Sequence, residues 1–195
     1  MNVVETALPG VMLVEPDVHG DARGYFLETW NQQRYAEAGL DALFVQDNLS
    51  YSGRGVLRGL HFQHPRGQGK LVHVLEGEVF DVAVDVRLGS PTYGRWLGVT
   101  LRAENKHQLY IPQGFAHGFC VLSERALFSY KCTDFYNPAT EQSIRWDDPQ
   151  IDIVWPLHPP TLSSKDAVAP RLSELDEQKL PNYLSDEHVG QQRSP

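Results

Sequence analysis

Apolar residues occur in short runs along the chain, and glycine, proline and small polar residues separate one run from the next. This spacing predicts short β-strands joined by turns, and many such strands in succession favour a sandwich, jelly roll or barrel. The predicted strands cover residues 11–15, 25–30, 44–48, 56–62, 71–75, 79–86, 96–101, 108–111, 118–122 and 126–133. Turns are predicted between them, among others at 52–53, 65–67, 76–77, 89–91 and 112–114.

Helical patterns are few and short. Asn31 is a suitable N-cap for a helix that runs to Ala38 and stops before Gly39, and residues 171–179 are a second helical candidate. The chain is therefore predicted to be all-β with a few short peripheral helices. Residues 1–180 read as a single domain, and residues 181–195 as a polar C-terminal tail that packs loosely.

The predicted strand over residues 79–86 has two different faces. Phe80 and three valines share one face, whereas Asp81 and Asp85 share the other. The pattern alone fits a half-exposed strand with two solvated carboxylates. The second interpretation places Asp81 inside a polar pocket.

Composition and charge narrow the classes of function. The chain has 195 residues, 41% of them apolar, and a net charge of −8, which argues against a nucleic-acid partner. No signal-peptide pattern and no apolar run long enough to span a membrane is present, so no membrane partner is expected. Cys120 and Cys132 lie in apolar runs without metal-ligand spacing and are expected to be buried thiols. A cytoplasmic location is the expectation.

The densest polar cluster lies in the predicted strand over residues 56–62. Arg58 and His61 interrupt an apolar run, and Lys70 follows soon after. Such groups are costly to bury without partners, and two cations close together indicate an anion-binding cavity. Residues three apart in a regular strand point to opposite faces, so a bulge at Gly59 is needed to turn both side chains inward.

A second cluster spans Tyr110 to Phe119 and contains the spacing Pro112-x-Gly114-x-x-His117. This spacing resembles the second motif of the cupins, which are small jelly-roll barrels. The usual first cupin motif, His-x-His, is absent because His61 and His64 are separated by two residues. A metal site of His61, His73 and His117 remains an alternative on residue type, but nearby cations disfavour it.

A third cluster places Phe128, Tyr130 and Cys132 on one face of a strand. A tyrosine among apolar residues is most often part of the core. If that face borders a polar cavity, Tyr130 is instead positioned to donate a proton.

Taken together, these runs resemble the dTDP-4-dehydrorhamnose 3,5-epimerase family over residues 20–166. The resemblance is carried by several short motifs in order: Asp21-Ala22-Arg23-Gly24, Gln46-Asp47-Asn48, Arg58-Gly59-Leu60-His61, Gly69-Lys70, Asp81-Val82-Ala83-Val84-Asp85, Ala116-His117-Gly118, Tyr130-Lys131 and Ser163-Ser164-Lys165-Asp166. It implies a cupin-type jelly-roll β-barrel, a homodimer, a dTDP-4-keto-6-deoxy sugar as substrate, and no metal or other cofactor.

The resemblance also implies roles for individual residues. By matching position, His61 is the expected base, Asp166 its partner, Tyr130 the expected acid, and Lys70 the group at the ketone. The expected substrate contacts are Arg23, Glu28, Gln46, Asp47, Asn48, Arg58, Asp81, His117, Tyr136, Glu141 and Lys165. Tyr136 is expected to stack on the thymine.

These residue types suit proton transfer beside a ketone. A neutral imidazole accepts a proton near pH 7, a phenol supplies one, and an ammonium stabilises the enolate oxygen. The expected reaction is inversion of C3 and C5 of dTDP-4-dehydro-6-deoxy-D-glucose, giving dTDP-4-dehydro-L-rhamnose. Inversion at one carbon only, a metal-dependent cupin enzyme and a non-catalytic sugar-nucleotide binder are the alternatives.

Overall fold

Two antiparallel sheets face each other in the computed structural model, which describes residues 1–183. The strands are β1 (Asn2–Glu5), β2 (Met12–Glu15), β3 (Val18–Asp21), β4 (Gly24–Leu27), β5 (Gln46–Gly53), β6 (Leu57–Gln63), β7 (Lys70–Glu76), β8 (Glu78–Asp85), β9 (Trp96–Arg102), β10 (Gln108–Ile111), β11 (Phe115–Val121), β12 (Arg125–Cys132) and β13 (Glu141–Ser143). One sheet has the order β1-β2-β10-β7-β12-β5 and the other β13-β6-β11-β8-β9. Strands β3 and β4 form a separate hairpin.

The helices are short. The α-helix α1 (Gln32–Glu37) begins at Asn31, whose side chain accepts a hydrogen bond from the Arg34 N–H at 3.1 Å, as the sequence predicts. Three 3₁₀-helices follow later: η1 (Asp166–Val168), η2 (Leu172–Glu174) and η3 (Glu177–Lys179). The helix predicted over residues 171–179 is therefore two separate turns, because Leu175 and Asp176 have extended backbones. No helix in the described residues has the length and apolar character needed to cross a bilayer.

Three layers of apolar side chains hold the fold. Between the sheets lies a core that draws on both of them, including Val72, Phe128, Leu101 and Phe119. The outer face of the five-stranded sheet is covered by the segment that follows β13, which contributes Ile144, Ile151, Trp155, Leu172 and Leu180. Part of the outer face of the six-stranded sheet is covered by α1 and the residues after it, through Tyr35 and Leu40.

The strand β8 is buried on both faces, so the half-exposed interpretation is wrong. Its even-numbered side chains pack under the segment after β13, and its odd-numbered ones face the core between the sheets. Asp85 is fully buried and accepts hydrogen bonds from Arg87, Ser90 and Thr92, which shape the turn after the strand.

The strand boundaries differ from prediction in a few places. Strand β5 continues through residues 52–53, which the sequence assigns to a turn, because Ser52 and Gly53 pair with Ala126 and Arg125 of β12. Strands β1, β3 and β13 are not anticipated by the apolar pattern. Residues 181–183 pair with Leu88, which donates to the Pro181 carbonyl at 2.8 Å. The rest of the predicted tail, 184–195, lies outside the described residues.

Candidate active site

Two adjoining cavities of about 430 and 300 Å³ open between the sheets, and they share the side chains of His61, Lys70 and Tyr130. The two sheets contribute different groups to this cleft. The five-stranded sheet supplies the residues on β6, β11 and β13, and the six-stranded sheet supplies those on β5, β7 and β12. The lining also includes Gln46, Asn48, Ser50, Arg58, His117, Tyr136, Glu141, Lys165 and Asp166.

A bulge in β6 turns both Arg58 and His61 into the cleft. On β11, Arg58 pairs with Phe119 and His61 pairs with His117. The interval from residue 58 to residue 61 on β6 is therefore one residue longer than the interval that it faces on β11. The extra residue is Gly59, which has φ +125°. A Cβ there would lie 2.5 Å from the Gly118 backbone, so the close approach of the two strands excludes a side chain. The bulge expected from the Arg58–His61 spacing is confirmed.

His61 is paired with a carboxylate from a distant part of the chain. Its Nε2 lies 2.6 Å from Oδ1 of Asp166, which is almost fully buried at the start of η1. Burial raises the pKa of Asp166, but the hydrogen bond and charge of His61, together with hydrogen bonds from Ser163 and the Gly59 backbone, hold the pKa below its ordinary value. The carboxylate therefore stays ionised at neutral pH and stabilises a protonated imidazole, which leaves Nδ1 as the nitrogen not engaged by Asp166.

A second His–Asp pair lies behind the first. His117 Nε2 is 2.9 Å from Oδ2 of Asp81, and the imidazole stacks on Phe128. Burial lowers the pKa of His117 despite the opposing effect of Asp81, so this imidazole is neutral near pH 7. Asp81 is fully buried and does not line either cavity. The resemblance predicts that Asp81 contacts substrate, but in the structure His117 lies between Asp81 and the cleft.

Lys70 begins β7 and faces the same cleft. Burial lowers the pKa of its ammonium, and Cys132, Asp81 and Glu141 oppose this only in part. No other side chain in the described part of the protein forms a salt bridge with Lys70. Its charge is thus available to an oxygen of a bound molecule.

Tyr130 comes from β12, in the sheet that faces the strand carrying His61. Burial raises the pKa of its phenol, Cys132 adds to this, and Arg58 opposes it. The phenol therefore keeps its proton at neutral pH and is able to donate it.

The mouth of the cleft is lined by polar groups and one exposed aromatic ring. On β5, Gln46 donates to the Asn48 Oδ1 at 2.9 Å and accepts from the Tyr136 N–H at 2.9 Å. The Tyr136 hydroxyl donates to Glu141 at 2.9 Å, and Lys165 forms an ion pair with the same carboxylate. The ring of Tyr136 is half exposed and offers a flat face to a ligand.

Three expected substrate contacts lie away from this cleft. Arg23 forms an ion pair with Asp21 at the tip of the β3–β4 hairpin, and Glu28 binds Arg34 beside α1. Asp47 projects from the outer face of β5, where it pairs with Lys131 at 2.9 Å, because neighbouring residues of a strand point to opposite faces.

Two serines of β5 were not predicted from the sequence: Ser50 lines the cleft, and Ser52 lies behind Arg58. Ser50 and Ser52 follow Gln46 and Asn48 along the inner face of β5. The Ser50 hydroxyl is buried without a partner among the described residues, and the Ser52 hydroxyl accepts from Arg58. Cys132 is buried beside Asn48, whose amide donates to its sulfur at 3.5 Å. Strand periodicity through Asn48 is the signal that identifies the two serines.

The three-histidine metal site is not assembled. His73 lies on the outer face of β7, opposite to Lys70 and Val72, while His61 and His117 face the cleft. In residues 1–183, no three potential metal-ligating side chains come together.

Comparison with known proteins identifies the family of this chain. The family model for dTDP-4-dehydrorhamnose 3,5-epimerase matches residues 5–174. The Salmonella typhimurium dTDP-4-dehydrorhamnose 3,5-epimerase is 56% identical over 177 residues, which cover 89% of this chain and 97% of that protein. A Neisseria gonorrhoeae protein of the same name is 54% identical over 92% of this chain, but the match spans only 55% of its own length.

A solved structure shows the same fold. The Legionella pneumophila 3,5-epimerase, crystallised with dTDP-4-keto-L-rhamnose, superposes with a TM-score of 0.92 at 54% identity, covering 94% of this chain and 99% of that one. The predicted cupin-type jelly roll is thereby confirmed. On these matches, the chain belongs to the dTDP-4-dehydrorhamnose 3,5-epimerase family of isomerases.

Proposed function

We propose that this cleft inverts C3 and C5 of dTDP-4-dehydro-6-deoxy-D-glucose by proton transfer between His61 and Tyr130. The observation that carries the proposal is the placement of an imidazole and a phenol on facing sheets around one cavity. Inversion requires a proton to leave one face of the sugar ring and another to arrive on the opposite face.

Each inversion begins with removal of the proton on the carbon beside the ketone. Nδ1 of His61 takes the proton, and the ionised Asp166 stabilises the imidazolium through its bond to Nε2. The electron pair moves onto the ketone oxygen, where the Lys70 ammonium stabilises the enolate. Tyr130 then protonates the carbon from the other face, and the ketone re-forms. Before the second inversion, solvent takes the proton from the His61 imidazolium and returns one to the Tyr130 phenolate.

The rest of the substrate provides binding energy for orientation. A diphosphate suits Arg58, whose guanidinium offers several N–H donors to phosphate oxygens. A thymine fits the exposed face of Tyr136 at the mouth. Binding energy from these groups, which do not react, holds the sugar between base and acid. The complex of the Legionella relative with a dTDP-4-keto sugar supports this substrate class.

The test is exchange of solvent deuterium into dTDP-4-dehydro-6-deoxy-D-glucose, followed by NMR. The wild-type protein should label both C3 and C5, whereas label at a single carbon would establish the one-carbon alternative. His61→Ala should lower exchange by about 10²- to 10⁴-fold, the usual contribution of a general base. Tyr130→Phe should lower net inversion more than exchange. Undiminished exchange in His61→Ala would remove that residue as the base.

We further propose that the protein acts as a homodimer. Leu49, Tyr51 and Leu75 are 62%, 61% and 48% exposed on the outer face of the six-stranded sheet, beyond the part that α1 covers. Apolar area of this kind on one face favours burial against a second copy. In such a dimer, the exposed β3–β4 hairpin of one protomer would bring Arg23 and Glu28 to the cleft of its partner.

A cytoplasmic location is part of the same proposal. Cys120 and Cys132 are both buried and unbonded to each other, which suits a reducing compartment.

A further inference from the structure

The guanidinium of Arg58 is held from one side only. Its Nε donates to the Ser52 hydroxyl at 3.0 Å, and within residues 1–183 it makes no ion pair with a carboxylate. Arg66 and Arg87, by contrast, are each bound by an aspartate through Nε and a terminal nitrogen. Arg58 thus keeps both terminal nitrogens uncommitted while lining the cavity.

Ser52 is a firm anchor for this contact. The residue is only 6% exposed, and its strand is paired on one side with β12, where Ser52 lies opposite Ala126. A guanidinium is planar, so fixing Nε also fixes the direction of the two terminal nitrogens. With Nε bound to β5, the terminal nitrogens are left for the oxygens of an anion in the cavity.

We propose that Ser52 is a positioning residue for the substrate: it orients Arg58 so that the guanidinium presents both terminal nitrogens to the diphosphate. This inference rests on the proposed nucleotide-sugar substrate. Ser52 itself does not contact the substrate, because it is absent from the cavity lining that contains Arg58 and Ser50. Its effect passes through Arg58 alone.

Removal of the hydroxyl should weaken diphosphate binding without slowing the chemistry. Ser52→Ala leaves the charge of Arg58 in place but frees its rotation, so we expect KM for the sugar nucleotide and Kd for dTDP to rise about tenfold. The kcat value should change less than twofold, since His61 and Tyr130 are untouched. Ser52→Thr keeps a hydroxyl at the same place, so its KM for the sugar nucleotide and its Kd for dTDP should stay close to the wild-type values.

A double-mutant cycle separates positioning from a general structural effect. In an Arg58→Ala background, Ser52→Ala should cause no further loss of dTDP affinity, because the group that it orients is gone. Thymidine, which has no phosphate, should bind Ser52→Ala as well as it binds the wild-type protein. Calorimetric titration measures both ligands, and thermal unfolding shows that each variant is folded.

Three results would overturn the inference: unchanged dTDP affinity in Ser52→Ala, an equal loss for thymidine, or a loss that persists in the Arg58→Ala background. If Ser52→Ala does not fold, Ser52→Cys provides the same comparison with a weaker acceptor. Failure of the wild-type protein to bind dTDP at all would instead refute the proposed function.

Discussion

At the scale of single residues, the cleft moves the pKa values of Lys70 and Tyr130, which both lie on the six-stranded sheet, in opposite directions. Burial lowers the pKa of the Lys70 ammonium and raises that of the Tyr130 phenol. The largest cause is the same for both shifts, because burial disfavours whichever form carries charge. The lysine thus loses its proton at a lower pH than an ordinary lysine, and the tyrosine at a higher pH than an ordinary tyrosine.

These directions predict the alkaline limit of activity. If the charged form of Lys70 stabilises the enolate, kcat should fall as pH rises through the lowered pKa, below the ordinary lysine value of 10.5. Tyr130 does not explain an early limit, since its pKa lies above the ordinary value of 10.0. Lys70→Arg keeps the charge to much higher pH and should move the limit upward, even if kcat is reduced. The measurement is kcat against pH.

Lys131→Arg is the matched control for that profile. It lies next to Tyr130 on β12 but projects from the outer face, where it binds Asp47. Its pH profile should coincide with that of the wild-type protein. An alkaline limit unmoved in Lys70→Arg would show that the lysine charge does not govern the step.

At the scale of elements, the contact between β6 and β11 determines which groups face the substrate. A Cβ on Gly118 would lie 2.8 Å from the Arg58 carbonyl oxygen and 3.0 Å from Leu60. Both neighbours are buried or part of the backbone, so the strands must separate to accept it. The same separation would shift Arg58 and His61 together.

Gly118→Ala should therefore impair stability and activity at once. We expect a loss of about 1–3 kcal/mol in the free energy of unfolding, as for other overpacked sites, and a fall in kcat/KM. Gly53→Ala is the control, because a Cβ at this other strand glycine has no neighbour closer than 3.9 Å. Urea unfolding and steady-state kinetics on both variants provide the comparison, and equal effects in the two would argue against the close approach.

Much of the element pattern could be predicted from the sequence, for identifiable reasons. The bulge could be anticipated because Arg58 and His61 have the wrong spacing for a regular strand and a glycine lies between them. The short strands β1, β3 and β13 could not, since each has only three or four residues, and β3 and β13 contain at most one apolar residue. The two roles of Asp81 and Asp85 also required the structure, because alternation fixes a face but not the partner found there.

The same limit applies to the candidate site. His61, Lys70, Tyr130 and Asp166 come together as the resemblance implies, although Asp166 lies 105 positions after His61 and no local pattern links them. Ser52 could not be predicted from the sequence, because its proposed role depends on the Arg58 side chain, which extends from β6 to the Ser52 hydroxyl on β5.

At the scale of the whole molecule, the uncovered face of the six-stranded sheet predicts an assembly. Sedimentation equilibrium should give twice the mass of the 22.0 kDa chain. Tyr51→Asp places a charge within the exposed apolar group of that face and should shift the protein toward the single-chain mass, with a loss of activity if the β3–β4 hairpin serves the partner. Leu43→Asp, which charges another exposed apolar position outside the sheet, is the control. Dimers that persist in Tyr51→Asp would place the interface elsewhere.

The position of Asp166 near the end of the chain affects when the proton-transfer pair can form during synthesis. Both sheets are complete at Ser143, so the imidazole, ammonium and phenol are all synthesised before the orienting carboxylate. A chain that ended at Ser143 would hold those three groups without the carboxylate that fixes the His61 tautomer, and it would also lack the layer that covers the five-stranded sheet. The same C-terminal segment therefore completes both the covering layer and the proton-transfer pair, so truncation before it should remove stability and turnover together.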